Sequence, residues 1–227
     1  MRIAVLVATL LVPVATSGQV ERADLPPILA DSVEIRLARS AAPTAISDSA
    51  TIYVLHRGGH VKAHEGTNGY TCLVNRDHPS SLYPGCYDVE ASRTVLQAEL
   101  LVQRLREQGV SWSEAKRQVD TAFATGRIPR PRRPALQYMM SKNQDIYASY
   151  AGPHVGHWHP HIMIYVPEQV TDVDMGIPAA IAGTVSLGNE WSLPELTVLT
   201  HMWSDGAPEQ IVSGERAHDA PRRVAGP

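Results

Sequence analysis

Residues 51–75 have the sequence TIYVLHRGGHVKAHEGTNGYTCLVN, and this stretch decides the fold class of the chain. Its first six residues are mostly β-branched, aromatic or aliphatic, which predicts a strand. Residues 57–59 (RGG) predict a turn, after which residues 60–65 return as a second strand. The pair Asn68 and Gly69 predicts a hairpin turn, because a type I′ turn needs positive φ at both central residues. The stretch therefore predicts an antiparallel meander of three strands.

Helices are predicted before and after this meander along the chain. Apolar residues at three-to-four spacing predict helices over 28–42 and 88–108, and a capping box predicts another over 111–124. The strand-like segments that follow are residues 136–140, 146–150, 161–166, 180–187 and 196–203, the last two being either two strands or a strand and a helix. We expect an α+β fold, an antiparallel sheet with helices packed on one face. Its element order resembles that of PAS and profilin domains.

The N-terminal segment predicts export. Arg2, an apolar run over residues 3–12 and small residues at 15–17 are typical of a secretory signal peptide. A buried helix or an uncleaved anchor is the alternative. The predicted organisation is a signal peptide over 1–17, a flexible lead-in over 18–30, one globular domain over 31–205 and a disordered tail over 206–227.

The composition, the net charge and the two cysteines further limit the kind of protein this can be. The 227 residues are 44% hydrophobic with a net charge of -3, which suits one folded domain without a general polyanion-binding surface. Residues 127–134 form a basic connector, interpreted as a solvated linker, with contact to an anionic partner as the alternative. Cys72 and Cys86 predict one disulfide in an oxidising compartment, and two unpaired buried thiols are the other reading.

Four of the ten histidines lie between residues 154 and 161. In an extended chain His157, His159 and His161 project to one side and are candidate zinc ligands, with Glu65 as the base of a hydrolase. The preferred expectation differs. His154, His157 and His159 then diverge on an exposed loop, and His161 alone turns inward at the start of its strand.

Three short segments resemble a group of uncharacterised exported bacterial proteins. The motifs are the stretch EGTNGYTC at residues 65–72, GCYD at 85–88 and PHIMIY at 160–165. The resemblance implies export and a shared fold, and it implies no activity. The ligand-binding candidates taken with these motifs are Glu65, Asn68, Tyr70 and His161.

Together these patterns predict an exported, non-catalytic binding or sensory module without a cofactor. Its site is expected where the hairpin tip over residues 65–70 meets the strand that begins at His161. The partner is an unidentified small molecule or protein, neither nucleic acid nor, after signal removal, a membrane. A zinc-dependent hydrolase built on the histidine cluster is the alternative function.

Overall fold

A computed structural model describes residues 26–78, 80–168, 185–190 and 193–199. The predicted signal peptide and tail, and the lead-in up to residue 25, lie outside these residues. The helices are α1 (Asp31–Ser40), α2 (Thr44–Ser47), α3 (Val89–Arg93), α4 (Val95–Glu107) and α5 (Trp112–Ala124). The strands are β1 (Thr51–His56), β2 (Gly59–His64), β3 (Thr71–Asn75), β4 (Ser81–Tyr87), β5 (Ala135–Met139), β6 (Asp145–Tyr147), β7 (His154–His157), β8 (His161–Tyr165), β9 (Val185–Glu190) and β10 (Leu193–Leu199).

The strands form one mixed sheet in the order β2-β1-β3-β4-β5-β8-β10-β9. Its neighbours are antiparallel except β1 and β3, which run parallel. β6 and β7 form a hairpin that joins the sheet where β6 pairs with β4 at Ser81 and Leu82. The α+β prediction is confirmed. Within the described residues, no helix has the length and apolar character needed to cross a membrane.

The predicted meander is wrong at its third strand, because β3 pairs with β1 and not with β2. Residues 65–70 cross over instead of turning tightly. Gly69 has φ 78°, but Asn68 lacks the positive φ that a type I′ turn requires. The Asn68 side chain instead accepts from the Tyr70 amide at 3.0 Å and donates to the Ile46 carbonyl at 2.7 Å.

Helices cover both faces of the sheet. The adjacent residues Cys72 and Leu73 point to opposite faces of β3, as strand alternation requires. Cys72 packs with Ala38 of α1, whereas Leu73 belongs to the larger core formed with α3, α4 and α5. The expected one-sided helix layer therefore describes α3–α5, and α1 adds a smaller layer behind the sheet.

Local sequence signals account for the helix ends. Ser111 caps α5 by accepting from the amide of Glu114 at 3.3 Å, as its capping box predicted. The helix predicted over 88–108 is interrupted at Thr94, whose backbone (φ -122°, ψ -85°) separates α3 from α4. Asp88 caps α3 through the amide of Ala91.

The disulfide between Cys72 and Cys86 is confirmed. The two residues lie directly opposite each other on β3 and β4, with Cα atoms 4.0 Å apart. Both are fully buried against α1. The bond therefore joins neighbouring strands inside the smaller core.

A buried ion pair attaches the N-terminal segment to the sheet. Glu34 and Arg76 are both 0% exposed and bind each other through two guanidinium nitrogens. Arg76 also donates to the carbonyls of Val74 at 2.8 Å and Pro27 at 3.1 Å.

Burial, and then the charge of Arg76, lower the pKa of His60 to about 4, so its imidazole stays neutral at pH 7.

Candidate metal centre

The hairpin of β6 and β7 carries the clearest group of metal-ligating side chains. Asp145 lies opposite His157, and Tyr147 lies opposite His154, so Val155 is an extra residue without a cross-strand partner. In a regular strand His154 and His157 would point to opposite faces, because they are an odd number of residues apart. The bulge at Val155 restores them to one face.

The three side chains converge on a small volume. One carboxylate oxygen of Asp145 lies 3.3 Å from Nε2 of His154 and 3.2 Å from Nδ1 of His157. The two imidazole rings are 4.3 Å apart between centroids. One ligand atom from each residue lies within 4.8 Å of the other two, a spacing that suits a single metal ion.

The centre is open to solvent on its outer side. The exposed fraction of the side chain is 28% for Asp145, 38% for His154 and 49% for His157. An ion bound here would exchange with bulk water without passing through a cavity. Two imidazoles and one carboxylate leave a coordination position for water or for another ligand.

Tyr147 supports the centre from the same face of the hairpin. Its ring lies edge-on to His154 with centroids 5.7 Å apart. Burial, followed by the charge of Asp145 and a hydrogen bond to it, raises the pKa of Tyr147. The phenol therefore stays protonated beside the carboxylate ligand.

Buried contacts hold the hairpin in place. Gln144, which is 0% exposed, donates through its side chain to the carbonyls of Met139 at 2.7 Å and Ser141 at 2.8 Å. The backbone carbonyl of Gln144 accepts a hydrogen bond from the Trp158 amide at 3.0 Å, which extends the pairing of β6 with β7 by one residue pair. These hydrogen bonds of Gln144 fix the backbone next to Asp145, the first residue of β6.

The structure groups the histidines differently from either prediction. His154 and His157 converge, so the expectation that they diverge does not hold. Among the described residues, the metal-ligating group of three includes neither His159 nor His161. His161 is 7% exposed on β8, and its Nδ1 contacts the carbonyl of His159.

The other candidate residues are not ligands of this centre, and Glu65, Asn68 and Tyr70 do not meet His161. Glu65 is exposed at the end of β2 and pairs with Lys62. Tyr70 packs against Tyr138, with ring centroids 6.2 Å apart, on the same face as Cys72, and burial is the main cause that raises its pKa. His161 lies on the opposite face, three strands away along the sheet order. The predicted meeting of residues 65–70 with His161 is therefore not formed.

Sequence reasoning missed Asp145 and His154 as partners of His157. Asp145 lies just before the strand-like segment predicted over residues 146–150, and a regular strand would turn His154 away from His157. No protein-family model, curated protein or solved structure matches this chain. The side-chain geometry alone therefore carries the functional argument.

Proposed function

We propose that the protein is an exported metal-binding module that holds a divalent transition-metal ion, zinc in the first place. Asp145, His154 and His157 are the ligands. The observation that carries the proposal is the convergence of their three ligand atoms within 4.8 Å. Imidazole nitrogens with one carboxylate oxygen form a borderline donor set that suits zinc better than the harder magnesium or calcium ions.

The exposure of the ligands favours binding or sensing over catalysis. Catalytic metal sites gain much of their power from a dry, shaped cavity, whereas these side chains are 28–49% exposed. The hydrolase alternative retains His157 and an open coordination position. Its proposed base, Glu65, lies near the start of β3, which pairs with the last residue of β4, Tyr87. The hairpin joins the first residue of β4, Ser81, at the opposite end of the strand. Hydrolysis would therefore need a different base.

Export is the second part of the proposal. The apolar run over residues 3–12 and the small residues at 15–17 support it, and the buried disulfide suits an oxidising compartment. We expect secreted or periplasmic material to begin near Gly18 when its intact mass is measured. Full-length chain recovered from the membrane fraction would contradict this part alone.

Zinc titration tests the metal site. Metal-free, untagged protein is expected to bind one zinc ion per chain by isothermal titration calorimetry. Replacing His154 by alanine or Asp145 by asparagine should weaken that binding by about 10–100-fold, because the first change removes one of three ligands and the second removes the negative charge of the carboxylate ligand. Both residues are partly exposed, so the fold should be retained in each variant.

Matched histidine variants control for unspecific binding. His159→Ala and His64→Ala remove an imidazole outside the centre and should leave zinc affinity unchanged within about twofold. Loss of binding in His159→Ala with binding retained in His154→Ala would contradict the assignment. Such a result would favour the set His157, His159 and His161.

Deleting Val155 tests the role of the bulge. The deletion brings His154 and His157 two residues apart, so a regular strand places both on one face without a bulge. We expect zinc affinity to stay within about fivefold of the parent chain, an effect near 1 kcal/mol. Inserting an alanine between Val155 and Gly156 should instead disrupt the pairing and lower affinity at least tenfold. The reverse order of these two effects would contradict the observed register.

A further inference from the structure

A buried carboxylate lies beneath the basic connector. Glu90 on α3 is 2% exposed, and its carboxylate contacts one backbone amide and two guanidinium groups. Its Oε1 accepts from the backbone amide of Arg132 at 2.9 Å, and its Oε2 contacts the guanidinium groups of Arg93 and Arg133, the latter at 3.4 Å. The Arg132 amide, followed by the two guanidinium groups, lowers the pKa of Glu90 against the effect of burial.

This arrangement fixes the arginines while leaving them accessible. The side chains of Arg93 and Arg133 are 60% and 63% exposed although each is bound on one side by Glu90. Arg130 is held as well, with its guanidinium carbon 5.6 Å from the ring centroid of Phe123. Guanidinium groups held in place lose less entropy when they bind an oxyanion.

The local charge is strongly positive although the chain is acidic overall. We define the arginine surface by Arg93, Arg127, Arg130, Arg132 and Arg133. Residues 127–134 carry four of these arginines, all exposed, and no acidic residue, and Arg93 is joined to Arg133 through Glu90. The net charge of -3 for the whole chain therefore hides a basic patch. Such a patch concentrates polyanions at the surface.

We propose that this arginine surface binds an acidic polysaccharide through its sulfate or carboxylate groups. The planar fork of arginine matches these oxyanions, and two forks are already oriented by Glu90. Phe123 beside Arg130 is 3% exposed and offers no face on which a nucleic-acid base can stack. The choice of polysaccharide rests on the export proposed above, whereas oxyanion binding itself is independent of export and of the metal centre.

Binding of purified, untagged protein to heparin and to alginate tests the proposal. We expect saturable binding to at least one of them that weakens as salt is added. Arg93→Gln with Arg133→Gln should weaken it about tenfold. Arg127→Gln with Arg132→Gln should weaken it similarly while every contact of Glu90 is kept, so that loss of fold cannot explain the result.

The matched control is Arg36→Gln with Arg117→Gln, which removes the same charge from exposed sites on α1 and α5. Its affinity should stay within about twofold of the parent chain. Equal weakening in the control and in both test variants would overturn the proposal, as would absence of binding to both polysaccharides. Tighter binding to single-stranded DNA than to either polysaccharide would overturn the choice of ligand.

Discussion

Replacing Arg76 by methionine is expected to lower the free energy of unfolding by about 3–5 kcal/mol. The substitution leaves the carboxylate of Glu34 fully buried without its counter-charge, and it removes the donors to the carbonyls of Pro27 and Val74. Since domains are stable by only about 5–15 kcal/mol, this single change removes a large share of the total. Urea unfolding followed by circular dichroism measures the loss.

Two companion variants separate the buried charge from the side-chain packing. Replacing both Glu34 and Arg76 by methionine should recover part of the lost stability, because no uncompensated charge remains. Arg117→Met, which breaks an exposed pair with Glu114, should cost no more than about 1 kcal/mol. A stability loss for Arg76→Met as small as that of Arg117→Met would contradict a buried, mutually dependent ion pair.

Much of the local structure was predictable, because it depends on short-range signals. The strand predicted over residues 51–56 has those bounds in the structure. The helix predicted from Ser111 to Ala124 is also found, since its capping box and apolar spacing are both local. The α+β class follows from the order of such elements.

The path of β3 was not predictable from local signals. Asn68 and Gly69 are a strong hairpin pair by themselves, yet Asn68 is engaged with Ile46, which is distant in sequence. Pairing of β3 with β1 and β4 buries Cys72 against α1 and Leu73 against the larger core. These long-range contacts decide the pairing, and a local pattern does not contain them.

The metal centre was missed for a related reason. Alternation in a regular strand selects residues two apart, which pointed to His157, His159 and His161. The bulge at Val155 changes that period and pairs His157 with His154 instead. Asp145 joins them only through the register of β6 against β7. A bulge has no reliable sequence signature, so the ligand set emerges only from the folded hairpin.

Replacing Gly66 by alanine is expected to cost about 3 kcal/mol of unfolding free energy or more. An added Cβ would lie 2.2 Å from the amide nitrogen of Thr51, 2.3 Å from the carbonyl carbon of Ala50 and 2.6 Å from the carbonyl oxygen of Ser49. All three are backbone atoms, so no side-chain rotation relieves the contact. The hydrogen bond from the Thr67 amide to Ser49 at 2.8 Å holds the same two segments together.

The matched control for Gly66→Ala is Gly58→Ala, which meets nothing within 4 Å and should change the stability by less than about 0.5 kcal/mol. Zinc affinity should be unchanged in folded Gly66→Ala, because the crossover over residues 65–70 and the metal centre adjoin opposite ends of β4. A loss of stability with unchanged zinc affinity would mean that the EGTNG motif serves the close packing of two backbone segments and not zinc binding. Full stability of Gly66→Ala would contradict that approach, and loss of zinc binding by a folded Gly66→Ala would instead place the motif in the site.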